Sequence, residues 1–245
     1  MDFQNKVAMI TVASVGIGRA TSLLMAERGA SLLLLDINEE ALQLTCQELE
    51  AFGTPVVAQV CDVSREDAVK AAVAEGLSQL GRIDILINNA ALWRSFSPFS
   101  AISTAEWQRY LDVNIMGVVH CTKAVLDAML ERGYGRIINV ASVAGVYGNA
   151  DMVHYSATKG AVIAMTKALA KETTPKGVLV NAVSPGSVSS SEDRNIDACT
   201  PSELSFLGRT GTDRENAELI CFLASDAASY ISGQNIQIDG CRRKQ

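Results

Sequence analysis

Tyr155 and Lys159 stand four residues apart in Tyr155-Ser156-Ala157-Thr158-Lys159, and Ser142 precedes Tyr155 by thirteen positions. The stretch from Tyr155 to Lys171 carries Ala157, Ala161, Ala164, Ala168 and Ala170, which predicts a helix with phenol and ammonium on one face. A free tyrosine has a pKa of about 10, and each unit of lowering takes about 1.4 kcal/mol. An ammonium fixed at roughly 4 Å in an effective dielectric of about 20 supplies on the order of 4 kcal/mol, enough to bring Tyr155 into range as an acid or base near neutral pH. Ser142, in Asn139-Val140-Ala141-Ser142 at the end of an apolar run, is placed to hydrogen-bond a substrate oxygen and hold it against the phenol. The chemistry these three groups suit is carbonyl or alcohol redox. A tyrosine and a lysine at this spacing are also common as plain helix neighbours, so the weight must come from the rest of the chain.

The frame that positions them is an alternation of short apolar runs with longer amphipathic segments. Val7-Ala8-Met9-Ile10 precedes a helix over 17–28, Leu32 to Leu35 precedes 39–51, and Val56-Val57-Ala58 precedes 65–80. Ile85-Leu86-Ile87, Arg136 to Val140, Leu179 to Val183 and Ile236-Gln237-Ile238 continue the strands, with helices near 104–131, 152–173 and 213–224. Continuously apolar strands imply an α/β fold: a single doubly wound parallel sheet with helices on both faces, Rossmann-like, across 1–245. Its ligand crevice is expected beyond the carboxyl ends of the strands. Thr11-Val12-Ala13-Ser14-Val15-Gly16-Ile17-Gly18 lies between the first strand and its helix, where backbone N–H groups and the helix dipole meet a pyrophosphate. Asp36, closing the second strand, suits the adenosine ribose hydroxyls and repels a 2′-phosphate, and neither Val15 nor Ile37 is basic. NAD(H) is therefore expected in preference to NADP(H). Asp36 could alternatively be a loop or helix-capping carboxylate.

Composition narrows the classes. With 48% apolar and 20% charged residues the chain has ample material for a core, and its net charge of −6 disfavours nucleic-acid or anionic-membrane partners. The one basic cluster, Arg242-Arg243-Lys244, reads as a solvated end. The first residues lack the long apolar region of a signal peptide and no run of eighteen apolar residues follows, which points to a cytoplasmic protein. Six cysteines without CxxC pairs or regular spacing read as free thiols, and two histidines make a His-rich metal site an unsuitable reading.

Over its whole length the chain resembles the classical short-chain dehydrogenase/reductase family. Beyond the glycine turn and the Tyr155/Lys159 pair, the matching segments are Asp62-Val63, Asn88-Asn89-Ala90-Ala91, Asn114 in Val113-Asn114-Ile115, Pro185-Gly186-Ser187-Val188-Ser189-Ser190, Leu207-Gly208-Arg209 and Ser232 to Gly240. The resemblance implies a homotetramer and a catalytic set of Asn114, Ser142, Tyr155 and Lys159. In that set Lys159 also bonds the nicotinamide ribose and Asn114 holds a water in a relay. It implies cofactor contacts from Val12, Ser14, Val15, Ile17, Asp36, Asp62, Val63, Asn89, Ala91, Tyr155, Lys159, Pro185, Gly186, Val188 and Ser190.

Where the family has glycine this chain has Val12, which adds bulk near the adenosine half and is strained if the turn needs a positive φ. Ala91 likewise replaces a glycine. By position, Trp93 and Tyr147 are candidate substrate walls beside Ser142 and Tyr155, or ordinary packing aromatics. His154 reads as structural, and a polar segment around 189–206 reads as a lid. Three activities remain open: an NAD(H)-dependent alcohol dehydrogenase or ketone reductase, an NADPH-dependent 3-ketoacyl reductase, and a redox-inactive dinucleotide-binding regulator or scaffold.

Overall fold

The computed structural model describes residues 1–189 and 194–243. Seven parallel strands form one sheet: β1 (Val7–Thr11), β2 (Ser31–Asp36), β3 (Val56–Val60), β4 (Ile85–Asn88), β5 (Gly135–Val140), β6 (Val178–Pro185) and β7 (Asn235–Ile238). Their order is β3-β2-β1-β4-β5-β6-β7, so the winding reverses between β1 and β4, where an open α/β sheet forms its ligand crevice.

Period-two alternation along the strands divides the core. Ala8, Ile10, Leu32, Leu34, Ile85 and Ile87 face one layer, made by α1 (Gly16–Glu27), α2 (Glu39–Leu49) and a helix near the carboxyl end, Asp213–Ala224. Met9, Leu33, Leu35, Leu86 and Ile137 face the other, which contains α3 (Glu66–Leu80) and later helical segments. These residues are completely buried, and each of the Leu, Ile and Met side chains contributes on the order of 1.5–3 kcal/mol by leaving water.

The helix expected over 104–131 is three pieces: α4 (Thr104–Leu111), a π turn (Asp112–Met116) and α5 (Gly117–Arg132). In the π turn the Gly117 N–H reaches the Asp112 carbonyl, one residue farther than an α-helix allows. The combined run Thr104–Arg132 is long and apolar enough to cross a membrane by composition, but here α5 packs against α3, β4 and β5. After β5 comes a short helix that the sequence did not announce, α6 (Ala144–Tyr147), then α7 (Val153–Thr173) and α8 (Asp213–Ala224).

Two arrangements fix α7 against the sheet. The Asn88 amide donates to Asn139 Oδ1 at 2.9 Å and to Thr122 Oγ1 at 3.2 Å, and the Asn139 amide donates to Thr166 Oγ1 at 2.9 Å. This buried chain joins β4, β5, α5 and α7 with its donors satisfied. On the other side α6 meets α7 through Gly145: a Cβ there would lie 2.5 Å from the Lys159 carbonyl carbon and 2.6 Å from the Gly160 nitrogen. Gly145→Ala must push backbone against backbone, so a loss of about 1–3 kcal/mol is expected. Chemical denaturation checks this, and Ser142 and Tyr155 should move apart in the variant.

Candidate active site

Every strand bordering the reversal point delivers a functional segment at its carboxyl end. Beyond β5, the Ala141 N–H donates to the Val183 carbonyl at 2.8 Å and the Val143 N–H to the Pro185 carbonyl at 3.1 Å, holding Ser142 between them. Ser142 is nearly buried, its Oγ accepts the Ala144 N–H at 3.1 Å, and it lies near enough to the Tyr155 phenol of α7 to favour the phenolate. One turn along α7, Lys159 is buried and its Nζ donates to the Val140 carbonyl at 2.6 Å.

The electrostatics differ from the expectation that Lys159 lowers the Tyr155 pKa. Burial raises the Tyr155 phenol above its ordinary value, Ser142 acts in the opposite direction, and nearby Tyr110 raises it further. Lys159 does not offset these effects because its ammonium is drawn to Val140 and stands 5.8 Å from the Tyr155 ring centroid. Burial also brings Lys159 down to about 8. Burial thus shifts both groups towards their neutral forms.

Asn114 lies in the π turn, fully buried. Its Oδ1 accepts the Leu92 N–H at 2.7 Å, and its Nδ2 donates to the Leu92 carbonyl and to Thr158 Oγ1, each at 3.0 Å. Its amide N–H groups are thereby occupied, and it fastens the segment leading to Trp93 onto α7. Trp93 and Tyr147 are both about half exposed, while His154 is buried against Tyr110 and Trp107.

At the nucleotide end, α1 begins without a side-chain cap and without an acidic residue in its first turn, so its leading N–H groups are open to an anion. Gly18 has to be glycine, since a Cβ would sit 2.0 Å from the Val12 carbonyl oxygen and 2.6 Å from Asn89 Nδ2. Asn89 donates to the Thr11 and Val12 carbonyls at 3.2 and 3.3 Å, and Thr11 Oγ1 accepts the N–H groups of Asn89 and Ala90 at 2.9 Å each. The turn does require a positive φ at Val12, 50°, a conformation strained for a β-branched residue.

Asp36 is almost buried and faces protein donors. One carboxylate oxygen accepts the Ser14 N–H at 3.2 Å and the Ser14 hydroxyl, and the other accepts the Asn38 N–H at 2.9 Å. Exposed Val15 and Ile37 flank it, and Ile17 lies in the first turn of α1. Asp62 accepts the Ser64 N–H at 3.0 Å, while the Val63 carbonyl meets His120 Nδ1 at 3.0 Å. Ala91 precedes the anchored Leu92. Pro185 ends β6, the Gly186 N–H donates to the Ile238 carbonyl at 2.9 Å, and Val188 bridges Gly211. Ser190 lies outside the described residues.

Long-range residues complete this end. Arg194 donates from Nε to Glu48 at 3.0 Å, from Nη2 to Thr45 at 2.9 Å and from Nη1 to the Ser14 carbonyl at 3.4 Å; Arg19 meets Glu48 at 2.7 Å. Burial raises the Glu48 pKa, but hydrogen bonds from Arg19 and Arg194 outweigh it and hold the carboxyl below its ordinary value. Asp213, at the start of α8, stands beside Gly16, and burial raises it to about 6. Arg194 is 146 positions from Glu48, so no local pattern connects them. Thr158 could have been found, since it lies on the Tyr155 helix within a turn of the phenol.

A reversal-point crevice with an uncapped glycine turn at one end and a Ser-Tyr-Lys set at the other defines a dinucleotide-dependent oxidoreductase. The family model for short chain dehydrogenases matches residues 6–199, and this chain belongs to that family of NAD(P)-dependent enzymes acting on CH–OH groups. A 3-oxoacyl-[acyl-carrier-protein] reductase of Thermotoga maritima is 39% identical, with 98% of both chains covered. The cyclohexanol dehydrogenase of an Acinetobacter species is 35% identical over 97% of this chain and 95% of its own. Among solved structures, NAD+-bound xylitol dehydrogenase superposes with a TM-score of 0.89 at 33% identity, covering 98% of this chain and 100% of that one.

Strain at Val12 yields a test. Val12→Gly relieves about 1–3 kcal/mol of backbone strain against about 0.5–1 kcal/mol of added unfolded-chain freedom. A net gain in stability and tighter NADH binding are expected, read by thermal denaturation and fluorescence titration.

Proposed function

We propose that this enzyme transfers a hydride between NAD(H) and a secondary alcohol or ketone, with Tyr155 as general acid/base. The observation carrying this reading is a buried Lys159 one turn from Tyr155 on α7, its Nζ held on the Val140 carbonyl at 2.6 Å two residues before Ser142. The bound cofactor supplies or receives the hydride. Ser142 holds the substrate oxygen, Tyr155 gives or takes its proton, and Lys159, when charged, stabilises the phenolate and holds the nicotinamide ribose. Asn114 fixes the wall at Leu92 and contributes to the proton relay, as family resemblance implies. The uncapped start of α1 would hold the pyrophosphate, a fit of N–H donors to an anion. Tyr155→Phe should lower kcat by at least about a thousandfold while leaving NADH binding within about threefold. Near-normal turnover overturns the assignment.

NAD(H) is the proposed cofactor because Asp36 places a carboxylate beside the turn, while Arg19 and Arg194 both direct donors to Glu48. Steady-state comparison should show kcat/KM at least about tenfold higher with NADH than with NADPH. A clear NADPH preference would instead favour the second reading, a 3-ketoacyl reductase, which the name of the Thermotoga relative supports.

The remaining proposals follow from surface and family. Residues 1–245 act as one domain in which Trp93 and Tyr147 line the substrate side; of the lid segment around 189–206, residues 190–193 lie outside the described residues. Exposed apolar Phe99, Met116, Val146 and Val153 on or beside α4 to α7 suit burial between copies of the chain, consistent with a cytoplasmic homotetramer. The substrate is a small molecule.

A further inference from the structure

Beyond the carboxyl ends of β4, β5 and β7, the end at which an open α/β sheet has its crevice mouth, three segments are joined to one another. The wall after β4 bonds the loop before α7, with the Ser97 N–H on the Asp151 carbonyl at 2.8 Å, and that loop bonds the catalytic helix, with the Asn149 N–H on Ser156 Oγ at 3.1 Å. The third edge is a small antiparallel ribbon between 204–207 and 240–243. Its bonds run from the Phe206 N–H to the Cys241 carbonyl at 2.9 Å, from Leu207 to Gly240 at 3.2 Å and from Arg243 to Leu204 at 2.9 Å. Arg242 joins ribbon to loop: its Nη2 donates to Asn149 Oδ1 at 3.1 Å. Far from being a solvated end, this side chain is partly buried and lies within a few residues of Tyr155 through Asn149 and Ser156.

Among the described residues no carboxylate forms an ion pair with Arg242. Among the described residues nine of the chain's thirteen arginines take part in salt bridges; the others are Arg94, Arg109, Arg242 and Arg243. Three of those four edge this mouth, with Arg94 beside Trp93 and Arg243 over Phe206. In a protein of net charge −6, such an edge is not a consequence of overall composition. A guanidinium held by a neutral amide keeps most of its donors free and pairs well with a carboxylate.

We propose that Arg242 determines specificity by binding a carboxylate on the substrate, so that the enzyme acts on keto or hydroxy acids whose carboxylate lies several bonds from the reacting carbon. This rests on the proposed alcohol/ketone chemistry. The probes are the series 4-oxopentanoate, 5-oxohexanoate and 7-oxooctanoate, each against its methyl ester, assayed with NADH. The wild-type enzyme should prefer at least one acid over its ester by about tenfold in kcat/KM, mainly through KM, and added salt should weaken that preference. Arg242→Gln keeps a donor for Asn149 but removes the charge, so the preference should vanish while ester turnover stays within about twofold. Arg242→Lys should restore part of it. Equal use of acid and ester across the series, or a preference that survives Arg242→Gln, overturns the proposal. If no ketone turns over, the proposed activity fails separately, and calorimetric binding of acid and ester to the NADH-loaded protein still decides whether Arg242 selects the carboxylate.

Discussion

The approach of α1 to the turn after β1 governs the nucleotide end of the site. Gly18 touches the Val12 carbonyl so closely that no side chain fits, and Asn89 reaches from β4 to hold the same carbonyl. This contact sits where the strand order reverses, so it joins the halves of the sheet as well as shaping the turn. Thr11 adds to the knot by accepting two N–H groups from the segment after β4. Strain at Val12 is tolerated because these neighbours over-determine the backbone path.

The chemical end relies on a different constraint, the burial of a basic residue. Among the described residues no carboxylate pairs with Lys159; its Nζ has the Val140 carbonyl, and desolvation shifts it towards neutrality. Tyr155 is shifted towards its neutral form by the same surroundings. Lys159 and Ser142 are linked through backbone, since the Val140 carbonyl that holds Lys159 ends β5 two residues before Ser142.

Much of the frame was legible because local pattern and tertiary demand agree. The run Leu32 to Leu35 could only be a strand buried on both faces, and the expected strands and helices appear within a few residues of their predicted bounds. Tyr155 and Lys159 share a helix as their spacing requires, and Ser142 lies near the phenol. What escaped depends on partners brought together only by folding. The pull of Val140 on Lys159 comes from a main-chain carbonyl, which no side-chain pattern records. The double hold of Ser14 on Asp36 and the Arg194–Glu48–Arg19 clasp are equally invisible, because they need the sheet register and the return of a distant segment. Tyr134 shows a further case: at the amino ends of the strands it lies between Lys6 and Arg136 and donates its hydroxyl to Asp226.

The π turn at Asp112–Met116 contains one residue more than an α-helical path would need. A single residue turns a helix by about 100°, so α4 and α5 present apolar stripes that are out of phase with each other although they follow one continuous run. That offset lets α4 face the His154 end of α7 while α5 faces the sheet, with Asn114 turned inward at the joint. Chain length is therefore constrained here in a way that residue type is not. Deleting one residue would straighten the run, rotate everything before it, and carry Asn114 away from both Leu92 and Thr158, even if every side chain kept its chemistry.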